Sequence, residues 1–170
     1  MILSDRDIIR CMRSGTIRIT PAPVKEQIGP ASVDLTLSDE FWKPKKAIHR
    51  IDISKVDFSD VMERFKSDSV ELKPGAMILG RTVEKIELPT NICGRLEGRS
   101  SFARLGLAIH VTSSFIQPGS RNHQILEIVN LSKKNIVIEA GMRVSQVIFE
   151  ELRSGTSKPY AKFGRIAREQ

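Results

Sequence analysis

A chain of 170 residues with 40% hydrophobic side chains carries apolar material for one core and has the size of one domain. Its formal charge of +7 favours anionic partners, nucleotides or nucleic acid, without choosing between them. No run approaches the ~20 apolar residues of a membrane helix, and Met1-Ile2-Leu3-Ser4-Asp5-Arg6 lacks the apolar stretch of a secretory leader, so a soluble, cytoplasmic protein is expected.

Ser4, with Asp7 three positions on, is close to a capping box, and Ile8, Ile9 and Met12 share one helical face until Gly15 stops the helix. Ile17 and Ile19 alternate as in a strand, and Pro21 and Pro23 end it. Val33, Leu35 and Leu37 alternate around Asp34, which places Asp34 on the outer face of a strand or at a subunit contact. Residues 43–56 are polar and basic and read as a long loop or an irregular edge. Phe58, Val61, Met62 and Phe65 recur at helical spacing and predict one short helix with a buried face. Pro74-Gly75 is a turn between strands at Val70–Leu72 and Met77–Leu88, Pro89 ends the second, and Ile92 to Leu96 leads into the stretch that begins at Gly98. Short strands then alternate with turns at Pro118-Gly119, Lys133-Lys134-Asn135 and Ala140-Gly141. The expected fold is mainly β, a compact, largely antiparallel barrel or jelly-roll-like domain over 1–170.

The chemistry concentrates in Gly98-Arg99-Ser100-Ser101-Phe102-Ala103-Arg104-Leu105-Gly106. Glycines admit close backbone approach, hydroxyls donate to phosphate oxygens, and arginine presents a planar fork that matches phosphate. The stretch reads as a polyphosphate cradle, or as a turn into a short helix with two solvated arginines. Downstream, Gln124-Ile125-Leu126-Glu127-Ile128-Val129-Asn130 is a strand with a carboxylate in an apolar run. Such a glutamate either pairs with a cation or has a raised pKa, and the latter suits proton shuttling.

Cys11 and Cys93 lie far apart without metal-ligand spacing, which argues against a disulfide framework or zinc site. The H-x-E and P-C-x-x-C elements of zinc deaminases are absent, and His49, His110 and His123 read as surface or hydrogen-bonded side chains. Aromatics are 5% of the chain and are not interleaved with its basic residues, so a nucleic-acid stacking surface is poorly supported.

GRSSFARLGLAIHVT, a Pro-Gly turn, ILEIVN and GMRVSQVIFEEL, preceded by MILSDRDI and GPASVDLTL, resemble the dCTP deaminase family of the trimeric dUTPase superfamily, from the first residues to about Leu152. The resemblance implies a dUTPase-type fold, a homotrimer with sites at subunit contacts, and zinc-independent conversion of dCTP to dUTP and ammonia. It assigns Glu127 as the acid–base residue, with Ser100 and Arg104 catalytic and phosphate-holding and Arg99 and Ser101 completing the cradle. Phe102, Ala103, Gln117, Ile125, Leu126 and Gln146 complete the substrate site. Mg2+ would be held chiefly by the nucleotide phosphates. The small, polar and basic stretch 154–170 reads as disorder or as a lid, and the resemblance favours the lid, with Tyr160, Lys162 and Gln170 over the nucleotide.

Two departures bear on the reaction. Gln117 stands where the superfamily has an aspartate that in dUTPases helps activate water, and an amide cannot act as a base. Asn122 stands where relatives commonly have glycine, and asparagine tolerates the positive φ such a turn needs. The alternatives left open are a dUTPase or bifunctional enzyme releasing dUMP, and a non-catalytic nucleotide- or nucleic-acid-binding β domain.

Overall fold

The computed structural model describes residues 1–110 and 112–163. Helix α1 (Asp5–Arg13) begins where Ser4 caps it: the Asp7 N–H donates to the Ser4 hydroxyl oxygen at 3.4 Å, and the Asp7 carboxylate accepts from the Ser4 N–H and hydroxyl. The helix buries Ile8, and Gly15 follows at φ +72°. Strands β1 (Arg18–Thr20) and β2 (Val33–Pro44) follow, separated by a 3-10 turn at Lys25–Gln27. Then come α2 (Phe58–Val61), β3 (Met62–Lys66), β4 (Ser69–Leu72), β5 (Met77–Glu87), β6 (Ile92–Gly98), α3 (Ser100–Ala103), β7 (Leu107–Ile109) and β8 (Phe115–Ile116). The remainder is β9 (Arg121–Asn130), β10 (Ile136–Glu139), β11 (Arg143–Glu151) and α4 (Tyr160–Phe163).

Among the described residues nine strands form one curled antiparallel sheet in the order β7-β9-β5-β2-β11-β6-β8, with β1 on β5 and β3 on β2, while β10 pairs with β4 separately. The mainly antiparallel β fold expected from the alternating pattern is therefore present. Period-2 alternation divides the sheet's two faces. Along β9, Leu126 and Ile128 are buried, whereas Ile125, Glu127 and Val129 face outward and are partly exposed. The inward residues meet Phe41, Leu37, Val147 and Phe149 in one apolar core. Buried Glu84 ties the N-terminal segment to it, accepting from Gln27 Nε2 and the Thr36 N–H, both at 2.8 Å.

Two expectations are corrected. The helix over Phe58–Phe65 is only the turn α2, after which the chain becomes β3 on the edge of β2. Cross-strand pairing decides this: Phe65 stacks on Phe41 with ring centroids 5.7 Å apart, a tertiary contact that overrides helical spacing. The turn expected at Pro74-Gly75 is present and joins β4 to β5, which belong to different sheets. Asn122 lies in β9 opposite Ile86 rather than in a turn; the positive φ of this region falls on Gly119, at +78°. Among the described residues no helix is long and apolar enough to cross a membrane.

Candidate active site

Glu127 projects from β9 into a cleft of about 580 Å3. Its position follows from the strand register, because Leu126 and Ile128 must enter the core and the residue between them is left on the opposite face. The Glu127 Oε2 atom accepts from the Thr112 hydroxyl at 2.5 Å and the Thr112 N–H at 3.1 Å. Among the described residues the partner of this carboxyl group is a threonine rather than a cation. Both bonds fix the orientation of the carboxyl group, and Oε1 has no partner among the described residues.

His110 holds the adjoining loop at a left-handed φ of +56°. Its Nδ1 accepts from the Glu127 N–H at 3.3 Å, so the proton sits on Nε2, which donates to the Ser113 carbonyl at 2.6 Å. The imidazole thereby positions the loop that carries Thr112. His123 likewise bonds through Nδ1 to the Thr82 carbonyl at 3.1 Å, and burial, aided by the charge of Arg81, pushes its pKa down.

Of the residues singled out in the sequence, Gln117, Ile125, Glu127 and Tyr160 line this cleft. Tyr160 reaches it because the tail docks on the Pro118-Gly119 turn: the Tyr160 N–H donates to the Pro118 carbonyl at 3.0 Å and the Ala161 N–H to Gly119 at 3.1 Å. Leu126 is fully buried, so its side chain belongs to the core. Lys162 is exposed outside the lining, and Gln170 lies outside the described residues.

The cradle is not brought to Glu127 within one chain. Residues Arg99 to Arg104 and Gln146 do not line the cleft, and Phe102 packs against the core. The Arg99 guanidinium is committed internally, to Asp34 at 3.2 Å and the Arg143 carbonyl at 2.9 Å. Asp34 is accordingly a structural partner, and burial raises its pKa against the opposing charge of Arg99. Gln146 is spent in the same way, accepting from the Ser32 hydroxyl at 2.7 Å and donating to the Gly98 carbonyl at 3.2 Å. Gly106, at φ +88°, is required by packing, since a Cβ there would lie 2.7 Å from that of Ser132. Ser100, Ser101, Ala103 and Arg104 remain exposed.

The opposite end of the cleft contains residues that sequence reasoning missed. Glu40, only 8% exposed, binds Arg81 at 2.8 Å and Arg64 at 2.6 Å, beside Trp42 and Phe58. No local signal links positions 40, 64 and 81; the pairing of β2 with β3 and β5 does. Arg81, then Arg64, holds the Glu40 carboxyl below the ordinary glutamate range. A carboxyl with a lowered folded-state pKa stabilises fully above that range and loses its contribution as pH falls through it. The stability difference between wild type and Glu40→Gln, followed by thermal unfolding, should therefore shrink as pH drops below about 4. A constant difference would show that the ion pairs do not set it.

A family model described as dCTP deaminase-like matches residues 2–152. A protein of Methanosphaera stadtmanae named "dCTP deaminase, dUMP-forming" is 41% identical over 165 residues, covering 94% of this chain and 83% of its own. A Rhodospirillum rubrum protein named "dCTP deaminase" is 41% identical over 172 residues, covering 95% and 88%. The structure of a 2'-deoxycytidine 5'-triphosphate deaminase from Agrobacterium tumefaciens matches 88% of this chain with a TM-score of 0.70 at 22% identity. This chain spans 48% of that longer one. A dUTPase from phage phi11 of S. aureus matches 88% of this chain and 99% of its own, with a TM-score of 0.56 at 14% identity. Those two structures speak to the fold, whereas the family match and the two closer relatives decide membership: the chain belongs to the dCTP deaminase-like family.

Proposed function

We propose that the protein deaminates dCTP to dUTP and ammonia, with Glu127 as the single proton-transfer residue. The observation that carries this reading is the Glu127 carboxylate in the floor of the cleft, oriented by Thr112, in a chain 41% identical to proteins named dCTP deaminase. Water attacks C4 of the cytosine ring while Glu127 takes its proton. The carboxyl passes that proton to N3, then takes the remaining proton from the C4 hydroxyl and delivers it to the amine, so that the C4–N4 bond breaks, the C4 carbonyl forms and ammonia leaves. Ile125 lies along the base, and the Gln117 amide and Tyr160 lie at the sugar end.

The triphosphate is assigned to Ser100, Ser101 and Arg104 of a neighbouring subunit in a homotrimer. This reading is supported by their exposure and their separation from Glu127 within one chain. Arg99 and Gln146 are positioning residues, since their side chains already hold Asp34, the Arg143 carbonyl, Ser32 and the Gly98 carbonyl. The tail carrying Tyr160 serves as the lid.

Among the described residues no group of three or more His, Cys, Asp or Glu side chains is placed to hold a metal ion. Mg2+ fits this chain through the oxygens of a bound triphosphate, where it would neutralise phosphate charge.

A second reading, release of dUMP, is favoured by the name of the Methanosphaera relative and opposed by Gln117, a cleft residue that cannot accept a proton from water. Incubation with dCTP and, separately, with dUTP in magnesium, followed by anion-exchange chromatography, decides between them. The expected products from dCTP are dUTP and ammonia, with added dUTP unchanged. Accumulation of dUMP would establish the second reading, and no change in either nucleotide would overturn both.

A further inference from the structure

Strand register sets four residues in one transverse row on the outward face of the sheet: Arg64 opposite Trp42, Trp42 opposite Leu79, and Leu79 opposite Glu127. At about 4.8 Å per strand the row spans about 14 Å. Arg81 stands in the next row, opposite Ile125. Arg64 and Arg81 thus form a cationic wall across the sheet from Glu127.

The wall is built rather than incidental. Glu40, 8% exposed, fixes both guanidiniums through separate carboxylate oxygens, and Arg64 also lies over the Trp42 ring at 5.7 Å. Two guanidiniums against one carboxylate leave a net positive charge. Arg81 spends one N–H group on Glu40, and its other donors have no acceptor among the described residues.

On the proposed function, C4 of the ring meets Glu127 and the sugar on N1 points towards Gln117 and Tyr160. On that reading Glu127 reaches both C4 and N3, so the N3 edge lies on its side of the ring and the C5 edge faces across the row towards Trp42 and the two arginines. We infer that Arg81 and Arg64 recognise a hydrogen-bond-accepting substituent on C5, making C5-modified deoxycytidine triphosphates, carboxylated or hydroxymethylated, substrates of this site. The chemistry is unchanged: water oxygen bonds to C4, the C4–N4 bond breaks, ammonia leaves with the transferred protons, and the C5 substituent keeps all its bonds.

The test compares kcat/KM for ammonia release from dCTP, 5-methyl-dCTP and 5-carboxy-dCTP, with calorimetric binding of the same three nucleotides. A charge-assisted contact should favour the carboxyl over the methyl compound by about tenfold or more. Arg81→Met should abolish that preference, and Arg64→Met, at a more exposed position, should reduce it even if the first variant folds poorly. Equal treatment of the carboxyl and methyl compounds, rejection of the carboxyl compound, or a preference unchanged in a folded variant overturns the inference. If dCTP binds without turnover, the deaminase reading fails separately, and the binding preference alone then upholds or overturns the role of the wall.

Discussion

Replacing Glu127 by glutamine should lower the rate of dCTP deamination by about 10²–10⁴-fold while leaving thermal stability and dCTP affinity close to wild type. The substitution keeps the side chain's length, and the amide oxygen still accepts from the Thr112 hydroxyl and N–H that now bind Oε2. What disappears is the capacity to take a proton from water and return it to the ring and the amine. Kinetics of ammonia release with calorimetric binding separate the two effects. A variant that retains more than about a tenth of the wild-type rate would remove Glu127 from the proton path. A rate loss accompanied by loss of binding would indicate that the side chain holds the base rather than transfers protons.

Gly119→Ala should cost about 10² in kcat/KM and about 1–2 kcal/mol in stability, although residue 119 carries no reacting group. Two structural demands meet there. Its φ of +78° is open to glycine and strained for alanine, and an added Cβ would lie 2.6 Å from Pro159 Cβ and 2.9 Å from Pro159 Cα. Because backbone is among the atoms met, a side-chain adjustment cannot relieve the contact, and the tail carrying Tyr160 must move off the turn. Activity then falls through the misplaced Tyr160, and the stretch around Lys158 becomes more open to protease. Tyr160→Ala should reproduce the activity loss with little change in Tm. Full activity in Gly119→Ala with a displaced tail would remove the lid from the mechanism.

Much of this protein is readable residue by residue wherever a local rule decides. The Ser4–Asp7 cap, the alternation at Val33–Leu37, the strand around Glu127 and the end of β5 before Pro89 each depend on neighbours within a few positions, and each is found in the structure. The error at Phe58–Phe65 has the same origin. Spacing of three and four matches a helix, but only the presence of Phe41 beside Phe65 turns that segment into an edge strand.

The site divides along the same line. Residue chemistry alone marks Glu127 and the Arg99–Arg104 stretch, because a carboxylate in an apolar strand and a cluster of guanidiniums and hydroxyls are unusual by composition. Roles within those groups required tertiary information. Arg99 and Arg104 are equivalent as text, yet Asp34 and the Arg143 carbonyl, remote in sequence, engage Arg99 and leave Arg104 exposed. Thr112, Glu40 and Arg81 had no local signal at all.

The sequence by itself determined the β-rich character and the family and singled out Glu127 as the candidate proton carrier, since these rest on side-chain chemistry and short-range periodicity. Tertiary structure alone decided which partner holds Glu127, which arginines are already occupied and where the cleft leads. Those properties depend on strand register, which brings residues tens of positions apart onto one face of one sheet.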